Sequence, residues 1–279
     1  HHQYFEVNNN APVLTIPVKK EYYPNFYAGI TLTQGRIDKP IKQGALPFRL
    51  TANVNADKNG AELMLAGTFL PAPKTKPLTE SIVDVSLHLK GMDVHHYRPY
   101  LINYVALGKL AGRLDVKTAF SGTLTNFTSK GTVLVKNAEL HYSQAFRDTL
   151  QSDTVHVDYS LMRKSNHLKL DITRFAVDRF AASGHLDIRE MDQKDPILIA
   201  TAATSIFSLQ EVKSYIPWKI IPVNVGSFIE AHIKNGNFRL VEGKLNGRLS
   251  RIAHMEKQEN AGVLYIRGEV QKGVFAAAD

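Results

Sequence analysis

The stretch that decides the fold is residues 81–90, which read SIVDVSLHLK. Apolar side chains at positions 83, 85, 87 and 89 alternate with polar ones at positions 84, 86, 88 and 90. Successive side chains of a β-strand point to opposite faces, so a period of two makes one face apolar and leaves the other to water. This alternation predicts antiparallel sheets that are wet on one side and argues against the doubly buried strands of a parallel sheet.

The same alternation recurs along most of the chain. It is clear over residues 114–120, 155–161 and 168–172, and shorter versions occupy residues 186–188, 238–240 and 264–266. Turn-forming residues separate these runs, for example Asp57-Lys58-Asn59-Gly60, where Asn and Gly tolerate the positive φ of a tight hairpin. The sequence therefore predicts about a dozen strands joined by short turns.

Helical patterns are scarce. One predicted helix covers residues 94–105 and is broken early by a proline, and a second covers 208–216, where Ser208 and Glu211 form a capping box. A third covers 224–234 and is stopped by Asn235-Gly236. Three short helices cannot cover the apolar faces of a dozen strands. Those faces must therefore meet one another, as in a closed β-sandwich or a barrel, or line a groove that something else fills.

The order of elements predicts three segments. Residues 1–80 are β-rich and are either a separate sheet or the start of the same one. Residues 81–207 form a first β-module with the helix near 94–105, and residues 208–279 form a second with the helices near 208–216 and 224–234. The two modules share an order of elements, in which a short helix containing Tyr and Pro is followed by a Gly turn and more alternating strands.

Composition excludes several functions. The 279-residue chain has no cysteine, which rules out disulfides, thiolate metal sites and a cysteine nucleophile. Its net charge is +8, but the basic residues are scattered without a basic helix or an aromatic-interleaved stripe, so we expect no nucleic-acid partner. No run of about 18 uncharged apolar residues is present that would predict a transmembrane helix.

No motif of a catalytic or metal site stands out. His95 and His96 are adjacent, so they cannot form the i, i+4 pair of a zinc helix, and neither nucleotide-binding glycine motif is present. Glu190 and Asp192 lie in a polar loop, which is a weak basis for acid–base chemistry. We therefore expect no enzyme activity, no metal and no cofactor.

Three runs carry a family resemblance. They are GKLAGRLDV at residues 108–116, FSGTL at 120–124 and GTVLVKNAEL at 131–140, preceded by YRPYL at 97–101. Together they resemble the AsmA-like superfamily of large envelope proteins of Gram-negative bacteria. The resemblance covers roughly residues 80–279 and is weaker over 1–80. It rests on residues at strand ends that have a structural role. The N-terminal membrane helix of full members has no counterpart here.

The resemblance implies a fold and a role. The fold would be mainly β, an elongated twisted antiparallel sheet curled into an apolar groove with a few short helices. The protein would be periplasmic, tethered to the inner membrane through a region outside this chain. It would move phospholipid between the inner and outer membranes, so that its partners are acyl chains and, at its two ends, the membranes or membrane proteins.

The groove-lining residues are predicted from the alternation. We expect the wall to include Val83, Val85, Leu87, Leu114, Val116, Phe120, Val133, Val135, Val155, Val157, Tyr159, Leu168, Leu170 and Ile172. The same residues would form the core of a closed β-sandwich, because both structures need one apolar face. A structural β-scaffold that binds another envelope protein through an exposed strand edge is accordingly the alternative function.

Overall fold

The structure, a computed structural model, describes residues 4–8, 11–17, 27–37, 44–55, 60–101, 105–216, 218–219, 223–255 and 257–275. Strands dominate these residues. They are β1 (Tyr4–Asn8), β2 (Ala11–Pro17), β3 (Tyr27–Ile37), β4 (Leu46–Asn55), β5 (Ala61–Leu70), β6 (Ile82–Asp93), β7 (Lys109–Gly122), β8 (Asn126–His141), β9 (Leu150–Lys164), β10 (His167–Val177), β11 (Phe180–Arg189), β12 (Ile197–Thr204), β13 (Phe207–Ser208), β14 (Ile233–Arg248) and β15 (Leu264–Phe275).

All the strands belong to one antiparallel sheet. Each strand from β1 to β12 pairs with the next one in the chain, β14 then pairs with both β12 and β13, and β15 pairs with the other edge of β14. The described residues form no pairing between β1 and β15, so the sheet is curled but unclosed. The predicted mainly β, curled antiparallel sheet is confirmed. The closed β-sandwich is wrong, since a single sheet has no second sheet to pack against.

Local backbone features bend this sheet. The β7–β8 register shifts at Gly112, whose φ of 133° lies in a region that L side chains rarely adopt, and Asn137 opposite has a φ of 51°. Further shifts interrupt the pairing of β6 with β7 and of β10 with both of its neighbours. Bulges of this kind increase the local twist and let a wide sheet curl.

The helices are short. They are α1 (Arg98–Leu101), α2 (Leu209–Val212), α3 (Val223–His232) and α4 (Leu249–Ala253), with 3₁₀ turns at Leu78–Glu80, Val94–Tyr97, Lys213–Tyr215 and Gln258–Val263.

All three predicted helices differ in extent from the structure. The one predicted over 208–216 is the single turn of α2 followed by the 3₁₀ turn Lys213–Tyr215. The one predicted over 94–105 is a 3₁₀ turn followed by the single turn of α1, and positions 102–104 lie outside the described residues. The one predicted to reach residue 234 ends at His232, because Ile233 already pairs with Phe275 in the sheet. The predicted capping box is present, with Ser208 and Glu211 hydrogen-bonded reciprocally at the start of α2. The α4 helix was not predicted.

The sheet runs across both predicted segment boundaries. Strand β5 pairs with β6 across the 80/81 boundary, and β12 pairs with β14 across the 207/208 boundary. The described strands before residue 80 therefore continue the same sheet. Strands β4 and β5 pair on either side of the hairpin predicted at 57–60, of which positions 57–59 lie outside the described residues.

Candidate functional site

One face of the sheet is largely apolar from β4 to β15. Residues paired across antiparallel strands point to the same face, and the register joins apolar residues from strand to strand. One such row runs Leu89, Val116, Val133, Val157, Phe175 and Ala182. We call the side that carries this row the apolar face. All the residues predicted to line a groove lie on it.

The side chains of the apolar face are covered only in part. Every residue predicted to line the groove is half-buried, neither shielded from solvent nor fully exposed. No large side chain among the described residues is completely buried. The apolar side chains of such a face pack against their neighbours within the sheet. On the side away from the sheet they remain open to solvent.

A cavity of about 690 Å³ lies at one end of the apolar face. Its wall is apolar and includes the aromatic rings of Phe175, Phe180, Phe207 and Phe238. Residues 209–216, which we call the roof segment, cover the cavity opposite the sheet. Its volume lies within the roughly 300–1,000 Å³ typical of small-molecule sites. Of the predicted lining residues only Val155 contributes to it.

The sequence did not indicate the cavity, because its phenylalanines are distant along the chain. Phe207 lies 6.2 Å from Phe238 and 5.6 Å from Phe180, between ring centroids. The alternation around Phe238 marks a strand, and it does not say that β13 and β14 meet beside β11. Only the strand order brings the rings together.

A hydrogen bond ties the roof segment to the sheet. The Tyr215 hydroxyl donates a hydrogen bond of 2.9 Å to the Gln151 carbonyl of β9, while the capping box satisfies the Glu211 N–H at the start of α2. The same hydroxyl lies 3.3 Å from Asp178 Oδ2. Burial, and then the negative charge of Asp178, raise the pKa of Tyr215, so the phenol stays protonated and donates.

Trp218 packs behind the roof segment. The residue is 8% exposed, its Nε1 donates to the Lys213 carbonyl at 2.9 Å, and the Arg147 guanidinium lies 4.9 Å from the ring centroid. Arg147 also forms an ion pair with Glu230 of α3. The Trp218 side chain therefore closes this end of the sheet and does not project from it.

A hydroxyl cluster interrupts the apolar face. The Tyr159 hydroxyl lies 2.8 Å from Thr118 Oγ1 and 3.2 Å from Ser129 Oγ, and those two oxygens are 3.1 Å apart. Gly131 pairs with both Thr118 and Tyr159, and a Cβ there would come within 2.5 Å of the Lys117 carbonyl. Tyr159 is one of the predicted wall residues. Its ring lies on the apolar face, and its hydroxyl is the polar end of the side chain.

The opposite face of the sheet carries paired polar side chains. His156 Nε2 lies 3.0 Å from Asp158, and His185 Nδ1 lies 2.6 Å from Asp171. The Thr132 hydroxyl of β8 donates to Asp158 at 2.6 Å, and this hydrogen bond, followed by that of His156, lowers the pKa of Asp158. Within the described ranges no group of three metal-ligating side chains is found.

In the described part of the chain, none of the helices has the length and hydropathy to cross a bilayer. When the chain is compared with known proteins, no family model, no curated protein and no solved structure matches it.

Proposed function

We propose that this chain is a non-enzymatic phospholipid-binding and transport segment of an AsmA-like periplasmic protein that links the inner and outer membranes. The observation that supports this function is the apolar face, which runs across the sheet from β4 to β15 and has no second layer of described strands above it. An ordinary protein core would have covered it with a second layer.

The energetics favour a lipid as the missing cover. A two-tailed phospholipid has about 30 methylenes, and exposing them to water costs up to about 24 kcal/mol at about 0.8 kcal/mol for each one. Unassisted transfer through water is therefore slow. An apolar face that contacts the tails removes most of this cost while the polar headgroup stays in solvent.

The dimensions favour passage along the sheet. Neighbouring strands lie about 4.8 Å apart, so the strands from β4 to β15 give a path of roughly 50 Å along the apolar face. The hydrocarbon core of a bilayer is only about 30 Å thick. A lipid on this surface can thus move several molecular widths without losing apolar contact, and no catalytic residue is needed.

The proposal is tested with two glutamate variants at adjacent positions of β8. Val135→Glu places a carboxylate on the apolar face, whereas Leu134→Glu places the same charge on the opposite face. Lipids are extracted from each purified protein and quantified by mass spectrometry. We expect near-stoichiometric phospholipid with the wild-type protein and the Leu134→Glu variant, and a loss of at least fivefold with Val135→Glu.

Thermal unfolding of both variants serves as the control for folding. A carboxylate on an open face stays hydrated, so Val135→Glu should keep the thermal unfolding profile of the wild-type protein; in a closed core it would be buried without a partner and the protein would unfold. Wild-type protein free of lipid, or equal lipid content in both variants, would refute lipid carriage.

The edge strand β15 supports a second candidate function, a β-scaffold that binds another envelope protein. Its outer edge has no partner strand among the described residues, and Ile266 and Val270 are 65% and 50% exposed. An extended segment of a partner could add to this edge. If this function is correct, the purified protein contains no lipid and retains a stoichiometric partner protein. A Val270→Pro variant should lose that partner.

A further inference from the structure

Arg163 is a charged residue on an otherwise apolar face. The register pairs it with Phe127 of β8 and with Leu168 of β10. From β4 to β12, no other Asp, Glu, Lys or Arg is placed on the apolar face by the described pairing. A cation among aliphatic and aromatic side chains is costly unless a partner compensates it.

The Arg163 guanidinium has no such partner within the described part of the protein. Its Nε is buried and makes no hydrogen bond, and no described carboxylate forms an ion pair with the side chain. A guanidinium has five N–H donors in a planar fork that matches a phosphate or carboxylate. The side chain is half-buried, and an anion that approached from the apolar side could meet this fork.

The hydroxyl cluster lies next to Arg163. Ser129 pairs with Leu161, two residues along β9 from Arg163, so Ser129 and Arg163 are diagonal neighbours about 7–8 Å apart. Tyr159 lies two residues further along the same face of β9. Arg163 and the hydroxyls of Thr118, Ser129 and Tyr159 together form what we call the polar patch of the apolar face.

The spacing between the polar patch and the cavity is somewhat longer than one phospholipid. Val155, on the same strand, lines the cavity, and it is eight residues from Arg163. At about 3.3 Å per residue this separation is about 26 Å. One leaflet of a bilayer, headgroup included, is about 20 Å thick. A lipid with its phosphate at the polar patch would thus extend most of the way along β9 towards the cavity with its tails.

We propose that Arg163 binds the phosphate of a phospholipid whose acyl chains lie along β9 towards the cavity, with the hydroxyl cluster donating further hydrogen bonds. This inference rests on the proposed function and adds selectivity for an anionic headgroup. The bidentate fork of Arg163 contacts two phosphate oxygens, and the aliphatic stem packs between Phe127 and Leu168.

The test compares two fluorescent probes with the same acyl chains, a phosphatidylglycerol and a diacylglycerol that lacks the phosphate. Their affinities are measured for the wild-type protein and for Arg163→Gln, Arg163→Lys and the control Lys164→Gln. Lys164 is the next residue of β9, is exposed and lies on the opposite face.

We expect the wild-type protein and Lys164→Gln to bind phosphatidylglycerol at least tenfold more tightly than diacylglycerol. Arg163→Gln should reduce that preference to within twofold without changing the affinity for diacylglycerol, and Arg163→Lys should restore part of it. Equal affinities for the two probes in the wild-type protein would overturn the role of Arg163 while leaving lipid binding intact. An equal loss of affinity for both probes in Arg163→Gln would also overturn the role of Arg163. If neither probe binds the wild-type protein, the proposed function fails as well.

Discussion

At the residue scale, Asp187 stands out on the polar side of the sheet. It is 3% exposed, and it accepts hydrogen bonds from Arg189 Nη2 at 2.9 Å and from the His167 ring at 2.7 Å. The Arg189 hydrogen bond, and then that of His167, hold the pKa of Asp187 below its ordinary value. A lowered folded-state pKa stabilises the protein above the unfolded value of about 3.9, and this stabilisation is lost as the pH falls.

We therefore expect Asp187→Asn to lower stability at pH 7 by roughly 1–3 kcal/mol, because a buried hydrogen-bonded charge is lost. The drop in Tm between pH 5 and pH 3 should be smaller in the variant than in the wild-type protein. The matched control is Asp171→Asn, whose side chain is 51% exposed and pairs with His185; exposed pairs contribute only about 0–1 kcal/mol. Parallel pH profiles of the wild-type protein and Asp187→Asn would contradict this role.

At the scale of the element, the roof segment depends on few contacts. Tyr215→Phe removes the hydrogen bond to Gln151, which contributes about 1 kcal/mol. Backbone amides of residues 209–216 should then exchange with solvent at least fivefold faster, with little change in β8 and β9. The control is Tyr142→Phe, whose hydroxyl bonds only to Gln144 two residues away. Unchanged exchange in the roof segment would show that Tyr215 does not anchor it.

The elements that could be predicted from sequence are those whose signals are local. Alternation at positions 83–89 identified β6, and the Ser208/Glu211 spacing identified the start of α2. The cavity and Arg163 could not be recognised in this way. Phe180, Phe207 and Phe238 converge through strand order. Arg163 has the parity of the alternating run 155–161, but only the pairing of β9 with both neighbours shows that the strand extends to it. Period-two patterns also cannot distinguish an open face from a sandwich core, because both bury one side of each strand.

At the scale of the whole molecule, the strand order makes the protein almost one-dimensional. Each strand from β1 to β12 pairs with its neighbours in sequence, and no second layer joins distant strands among the described residues. In such a structure, stability is close to a sum of local terms and cooperativity is weak over distance. A single two-state transition is therefore not expected for the full sheet.

Trp218 gives this expectation a direct test, since it is the only tryptophan and lies at the roof end of the sheet. Its fluorescence reports the contacts with Lys213 and Arg147, whereas far-UV circular dichroism reports all the strands. Because short helices held by a few hydrogen bonds surround it, we expect the fluorescence midpoint in urea to fall at least 0.5 M (about 0.5–1.5 kcal/mol at typical slopes) below the circular dichroism midpoint. Superimposable curves would mean that the sheet and its roof end unfold as one unit. Added phospholipid should narrow the gap, because a ligand that contacts both the wall and the roof segment stabilises them together.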